Sequence, residues 1–87
     1  MRESEIEKKV SLFAKSKNWL SYKFVSPANR AVPDRLYIKE GKVIFIEFKA
    51  PGKRPTKLQD KVINRIRDHG VEVYVIDDVD EGKKIFC

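Results

Sequence analysis

Cysteine and histidine are almost missing from this sequence: Cys87 and His69 are the only ones. One thiol cannot close an internal disulfide, and no Cys/His cluster offers a zinc site. Long hydrophobic runs are absent too, and none approaches the roughly 20 residues that span a bilayer. The opening MRESEIEKKV has no apolar signal region. The expectation is a soluble, cytoplasmic protein with no membrane partner. No repeat, low-complexity segment or linker interrupts the 87 residues, so a single domain spanning 1–87 is expected. So short a chain buries a modest core and often gains stability from a partner or a second copy.

Acidic residues are the scarcer charge. Thirteen Asp and Glu stand against 19 Lys and Arg, a net charge of +6. That balance favours an anionic partner, with nucleic acid first among them, although solubility alone accounts for it in many small proteins. The 41% hydrophobic and 37% charged residues are those of a globular chain.

The spacing of Ile6, Val10, Phe13 and Ala14 predicts an amphipathic helix over about Glu3–Ser16. Ser21–Val25 reads as a short strand, and SPANRAVP (Ser26–Pro33) as a loop. Arg35–Ile38 and Lys42–Lys49 read as two strands around a Glu40-Gly41 turn. APGKRP (Ala50–Pro55) is a basic loop. Thr56 suits a helix N-cap, and Lys57–His69 a second helix with a stripe of Leu58, Val62, Ile63 and Ile66. Val71–Ile76 reads as a strand, and Lys83–Cys87 as a short edge strand. The order αβββαβ predicts an α/β fold, a small mixed sheet packed by helices.

Charge inside the strand VIFIEFK (Val43–Lys49) needs a reason, because an unpaired buried charge costs several kcal/mol, on the order of 3–5. A hairpin turned at Lys39–Lys42 pairs residues whose numbers sum to 81, which sets Asp34 opposite Glu47. Alternation puts Lys49 on the same face as Glu47, and Ile44, Ile46 and Phe48 on the other. Two carboxylates so close repel unless a cation lies between them. Hard Mg²⁺ suits carboxylate oxygens and keeps waters, one of which can become a nucleophile. A neighbouring lysine can stabilise charge developing on a phosphate. The plainer alternative is a solvated cross-strand charge cluster, which the apolar neighbours on both strands disfavour.

Pro33-Asp34 followed by Glu47-Phe48-Lys49 resembles the PD-(D/E)xK nuclease superfamily. VPDR, then IEFKAPGKRPTKLQ, resembles more narrowly the VRR-NUC (virus-type replication-repair nuclease) family, over nearly the whole chain. The resemblance implies a restriction-endonuclease-like αβββαβ core and phosphodiester cleavage with a divalent metal, Mg²⁺ or Mn²⁺. It implies Asp34 and Glu47 as metal ligands with the Phe48 carbonyl, Lys49 as the catalytic lysine, and Gln59 as a residue holding the site or touching water or phosphate. It also implies a glutamate on the first helix. On a helical wheel of about 100° per residue, Glu3 falls inside the apolar stripe, Glu7 at its edge and Glu5 opposite. Glu3 is therefore taken first and Glu7 second, each competing with a simple role at the helix N-terminus. Compact members of the family are similar to Holliday-junction resolvases, so a viral or bacterial origin, branched DNA and a homodimer are implied as well.

Lys53, Arg54 and Lys57 follow the charged strand and are candidate DNA-backbone contacts, as are Arg30 and Arg35 beside Asp34. Lys61 and Arg65 continue the basic stripe but equally suit a solvated helix face. His69 before Gly70 suits helix capping better than catalysis. Trp19, Tyr22 and Phe24 suit core or interface packing better than base stacking. The sequence thus points to a structure-specific endodeoxyribonuclease. The rival classes are a nucleic-acid-binding module without catalysis and a subunit that cuts only when a partner recruits it.

Overall fold

The structure is a computed structural model that describes residues 1–87. Seven elements follow in chain order: α1 (Glu3–Ser16), β1 (Leu20–Lys23), β2 (Arg35–Lys39), β3 (Lys42–Phe48), α2 (Lys57–Asp68), β4 (Glu72–Ile76) and α3 (Val79–Lys84). They form one four-stranded sheet of order β1-β2-β3-β4, antiparallel except for the parallel β3–β4 pair that α2 connects. The α/β class and the mixed sheet packed by helices are as expected. No helix is long and apolar enough to cross a membrane.

The β2–β3 hairpin turns on Glu40 (φ 50°) and Gly41 (φ 82°). Two successive left-handed residues match the twist of the flanking strands, and glycine reaches that region without strain. The turn sets the register Lys39↔Lys42, Ile38↔Val43 and onward to Arg35↔Ile46, the pairing expected. One step further along the same ladder lie Asp34 and Glu47.

Alternation splits β3 between two faces. Ile44, Ile46 and Phe48 join Ile6, Val10 and Ala14 of α1 with Tyr37, Ile76 and Phe86 in one buried cluster. Each large aliphatic or aromatic side chain so buried contributes about 1.5–3 kcal/mol. Helix α2 packs on β4, and its buried Val62 and Ile63 lie outside that cluster. Val73 alternates with Tyr74 and Ile76 and so turns to the face opposite α1. Leu58, counted in the apolar stripe, is instead exposed. Its neighbour Gln59 faces the sheet, and one helical step turns Leu58 about 100° away.

The chain end departs from expectation. Lys83–Cys87 is not an edge strand; α3 occupies Val79–Lys84. Asp78 caps this helix, its Oδ2 accepting from the Glu81 N–H at 3.0 Å. Gly82 lets α3 sit against α1, since a Cβ there would lie 2.5 Å from Val10 Cγ2. Phe86 then closes the core against Trp19 and Tyr37, at ring separations of 5.2 and 4.8 Å. The first strand also starts one residue early and ends at Lys23, because Asn18 (φ 69°) closes α1 and sends the chain straight into Leu20.

Candidate active site

Asp34, Glu47, Lys49 and Gln59 converge at the end of the β2–β3 ladder. Hydrogen-bonded pairs alternate along an antiparallel ladder, and Arg35↔Ile46 is its last paired position. A two-residue turn at Glu40-Gly41 makes Lys39/Lys42 a bonded pair, so Tyr37/Ile44 and Arg35/Ile46 are bonded too. Pro33 and Phe48 would be the next. Proline has no N–H, so the Phe48 carbonyl receives no donor from that position. The Phe48 N–H is taken by Asp34 Oδ2 at 2.7 Å instead. The proline-aspartate pair therefore does two things: it ends the ladder and fastens one carboxylate oxygen beside Glu47.

Glu47 is 3% exposed, the only charged residue in the buried set. Its Oε2 accepts from Lys49 Nζ at 3.0 Å and from Gln59 Nε2 at 3.2 Å. Gln59 Oε1 in turn accepts from Lys49 Nζ at 2.8 Å and from the Thr56 N–H at 3.0 Å. Thr56 Oγ1 accepts from the Gln59 N–H at 3.1 Å, completing a capping box at the start of α2. One glutamine thus joins the helix cap to the acid and the lysine. Asp77 was not anticipated: its Oδ2 accepts from the Gly52 N–H at 2.9 Å and ties the basic loop to the end of β4. Nothing local in the sequence marks that contact, which spans 25 residues.

The two carboxylates repel each other's charge. Burial pushes the Glu47 carboxyl from an ordinary 4.5 to about 7, the Asp34 charge adds to the rise, and Lys49 opposes it. Burial also raises Asp34, against the pull of the Phe48 N–H, with Glu3 and Glu7 adding to the rise. Glu47 Oε1 and Asp34 Oδ1 make no hydrogen bond to protein. No buried side-chain polar atom is without a partner, so these two oxygens reach solvent. A pair of close carboxylates, each with one oxygen anchored and one free, is a donor set that fits a hard divalent cation. No three His, Cys, Asp or Glu side chains converge, so such a cation would complete its shell with a carbonyl and waters, as Mg²⁺ does.

The remaining expected residues divide. Glu3 is exposed in the first turn of α1, and its charge acts on both Asp34 and Glu47. Glu7 is held by Arg35 Nε at 2.7 Å and Lys23 Nζ at 3.3 Å. Arg35 pairs with Ile46 on the α1 face and also donates to Ser21 Oγ at 2.6 Å. It therefore stands on the face opposite Glu47, engaged by protein rather than open to a phosphate. Arg30, Lys53, Arg54 and Lys57 are exposed in the loops before Asp34 and after Lys49 and in the first turn of α2. His69 Nδ1 lies 2.9 Å from the Arg65 carbonyl at the end of α2, a capping contact. Trp19 and Phe24 pack on Phe86 and Phe45, whereas Tyr22 is exposed.

Residues 8–79 match the family model described as "VRR-NUC domain". The chain belongs to the VRR-NUC family. It is 43% identical over 81 residues to "Putative nuclease p44" of Acyrthosiphon pisum secondary endosymbiont phage 1, covering 92% of this chain and 87% of that protein. A solved structure titled "VRR_NUC domain" superposes with a TM-score of 0.88 at 22% identity, covering 95% of this chain and 91% of that one. At that identity the superposition speaks for the VRR-NUC fold. The αβββαβ order expected of the family is present, with α3 appended.

Proposed function

We propose that this VRR-NUC nuclease is a divalent-metal-dependent endonuclease that hydrolyses phosphodiester bonds in DNA, acts on branched structures such as four-way junctions, and works as a homodimer. The observation that carries the proposal is the pair Asp34 and Glu47, each with one oxygen anchored and one open to solvent, beside Lys49. Mg²⁺ or Mn²⁺ held by those oxygens and the Phe48 carbonyl would supply a Lewis acid and a water activated at neutral pH.

The chain's own side chains do the rest. Lys49 presents an ammonium to the charge that accumulates on the phosphate in the transition state. Gln59 fixes the Lys49 and Glu47 rotamers through the α2 cap, so the site is organised before substrate arrives. Glu3 adds negative charge near both carboxylates, which strengthens their hold on a cation. Lys53, Arg54 and Lys57, with Arg30 in the loop before Asp34, are the phosphate-backbone contacts; Arg35 is not among them, because Glu7 and Ser21 occupy its guanidinium.

Labelled four-way junctions, flaps, forks, nicked duplexes and linear duplexes, each incubated with Mg²⁺, Mn²⁺ or EDTA, test the proposal. Cleavage of branched over linear DNA, lost in EDTA, is the expected result. Tight, salt-sensitive binding without cleavage on any substrate would favour the non-catalytic module. Cutting that appears only when cell extract is added would favour the partner-activated subunit.

A further inference from the structure

Between Lys49 and Thr56 the chain leaves the sheet, carries Lys53 and Arg54, and enters α2. Both ends of this segment are fixed. The Lys49 N–H donates to the Ile76 carbonyl at 2.9 Å, which continues the parallel β3–β4 ladder, and the Thr56–Gln59 capping box holds the start of α2. The middle is a tight turn. Proline sets φ at about −65° at position 51. Gly52 has φ 80°, and the Lys53 N–H donates to the Ala50 carbonyl at 3.0 Å, the pattern of a type II turn. The closing bond uses only the outer peptide groups, so the Gly52 N–H needs another acceptor. Asp77 Oδ2 supplies it at 2.9 Å. One step beyond Phe48↔Ile76 in the ladder, Asp77 stands beside Lys49. Its carboxylate joins no ion pair. Pro51, Gly52, Lys53 and Arg54 are all exposed, so burial does little to hold the turn.

We infer that Asp77 is a positioning residue for substrate binding: by holding the Gly52 N–H it fixes the exposed Ala50–Lys53 turn against the end of β4, so that Lys53 and Arg54 are set for the phosphate backbone before DNA arrives. The inference rests on the reading of Lys53 and Arg54 as phosphate contacts, and adds a residue that touches neither the metal ligands nor the DNA.

Geometry and charge make opposite predictions for this residue. A turn left loose has to be ordered when DNA binds, and ordering the backbone of one residue weakens binding by a factor of roughly 5–30. Asp77 removes that cost in advance. Its negative charge acts the other way, because an anion beside a phosphate track repels the substrate. If charge alone mattered, removing the carboxylate would tighten binding. If the hydrogen bond matters more, the same removal weakens it, and asparagine, which keeps an acceptor oxygen and loses the charge, restores it.

The test is binding of a labelled four-way junction and of a linear duplex in EDTA by wild type, Asp77→Ala and Asp77→Asn, followed by cleavage kinetics in Mg²⁺. Asp77→Ala should bind both DNAs about tenfold more weakly, and Asp77→Asn at least as tightly as wild type. In cleavage the Asp77→Ala loss should fall on KM rather than kcat, because Gln59 and the α2 cap hold Glu47 and Lys49 independently of the turn. Trypsin should cut after Lys53 faster in the DNA-free Asp77→Ala chain than in wild type. Should Asp77→Ala fail to fold, amide exchange in the wild-type chain provides the second readout. Gly52 is exposed, so its bond to Asp77 is what protects its N–H, and exchange as fast as that of Arg54 would overturn the inference. Asp77→Ala binding as tightly as wild type or tighter, Asp77→Asn binding as weakly as Asp77→Ala, or a loss confined to kcat would each overturn it too. Lys53→Gln and Arg54→Gln that both bind like wild type would overturn the phosphate reading, and the role of Asp77 with it.

Discussion

Replacing Glu47 with glutamine should stabilise the metal-free protein, and by an amount that depends on pH. The folded chain holds the Glu47 proton up to about pH 7, while the unfolded chain releases it near 4.5. Between those values the folded state binds more protons, so stability falls as pH rises through the window. A shift of that size corresponds to about 3 kcal/mol, fully lost above pH 7. Glutamine has the same shape and no proton to lose. The Glu47→Gln chain should therefore match wild type near pH 4.5 and exceed its stability by about 3 kcal/mol at pH 8. Urea unfolding in EDTA at fixed ionic strength, run at several pH values, measures the difference. Added Mg²⁺ at pH 8 should narrow the gap by stabilising wild type alone. A gap that stays constant with pH, or wild-type stability that rises from pH 5 to 8, would refute the reasoning.

Gly82→Ala should destabilise the fold by about 1–3 kcal/mol despite the better helix propensity of alanine, because the new Cβ would lie 2.5 Å from Val10 Cγ2 and 3.2 Å from Ile76 Cγ2. A thermal midpoint equal to wild type would contradict the close approach of α3 to α1. Replacing Lys53, Arg54 or Lys57 with glutamine should each lower the slope of log affinity for DNA against log salt by about 0.9, while Arg35→Gln should leave that slope unchanged. Equal losses from Arg35 and Lys53 would show that the Glu7 pairing does not withdraw Arg35 from DNA.

The parts of the site that were legible in the sequence rest on local rules. Glu40-Gly41 sets a two-residue turn, the turn sets the register, and the register puts Asp34 beside Glu47. Thr56 and Gln59 sit at capping-box spacing, and the same glutamine then reaches Glu47 and Lys49. What the sequence obscured depends on contacts between distant segments. Arg35 flanks Asp34 in sequence, yet alternation turns it to the other face, where Glu7 is 28 residues away along the chain. The tail Lys83–Cys87 read as an edge strand, yet Gly82 just before it belongs to α3. It is small because Val10 is close, and the Asp78 cap with Glu81 three residues on was the overlooked helix signal. The role of Pro33 became visible only once the ladder was paired, since what matters is the N–H it does not offer to Phe48.

Cleavage of a labelled four-way junction by wild type, Glu47→Gln and Lys49→Met, in Mg²⁺ and in EDTA, tests the central claim most directly. Wild type should cut only with the metal, and both variants should lose cleavage by about 10²-fold or more while still binding the junction. Undiminished cutting by Glu47→Gln, or cutting by wild type in EDTA, would contradict a metal-dependent site built on Asp34, Glu47 and Lys49.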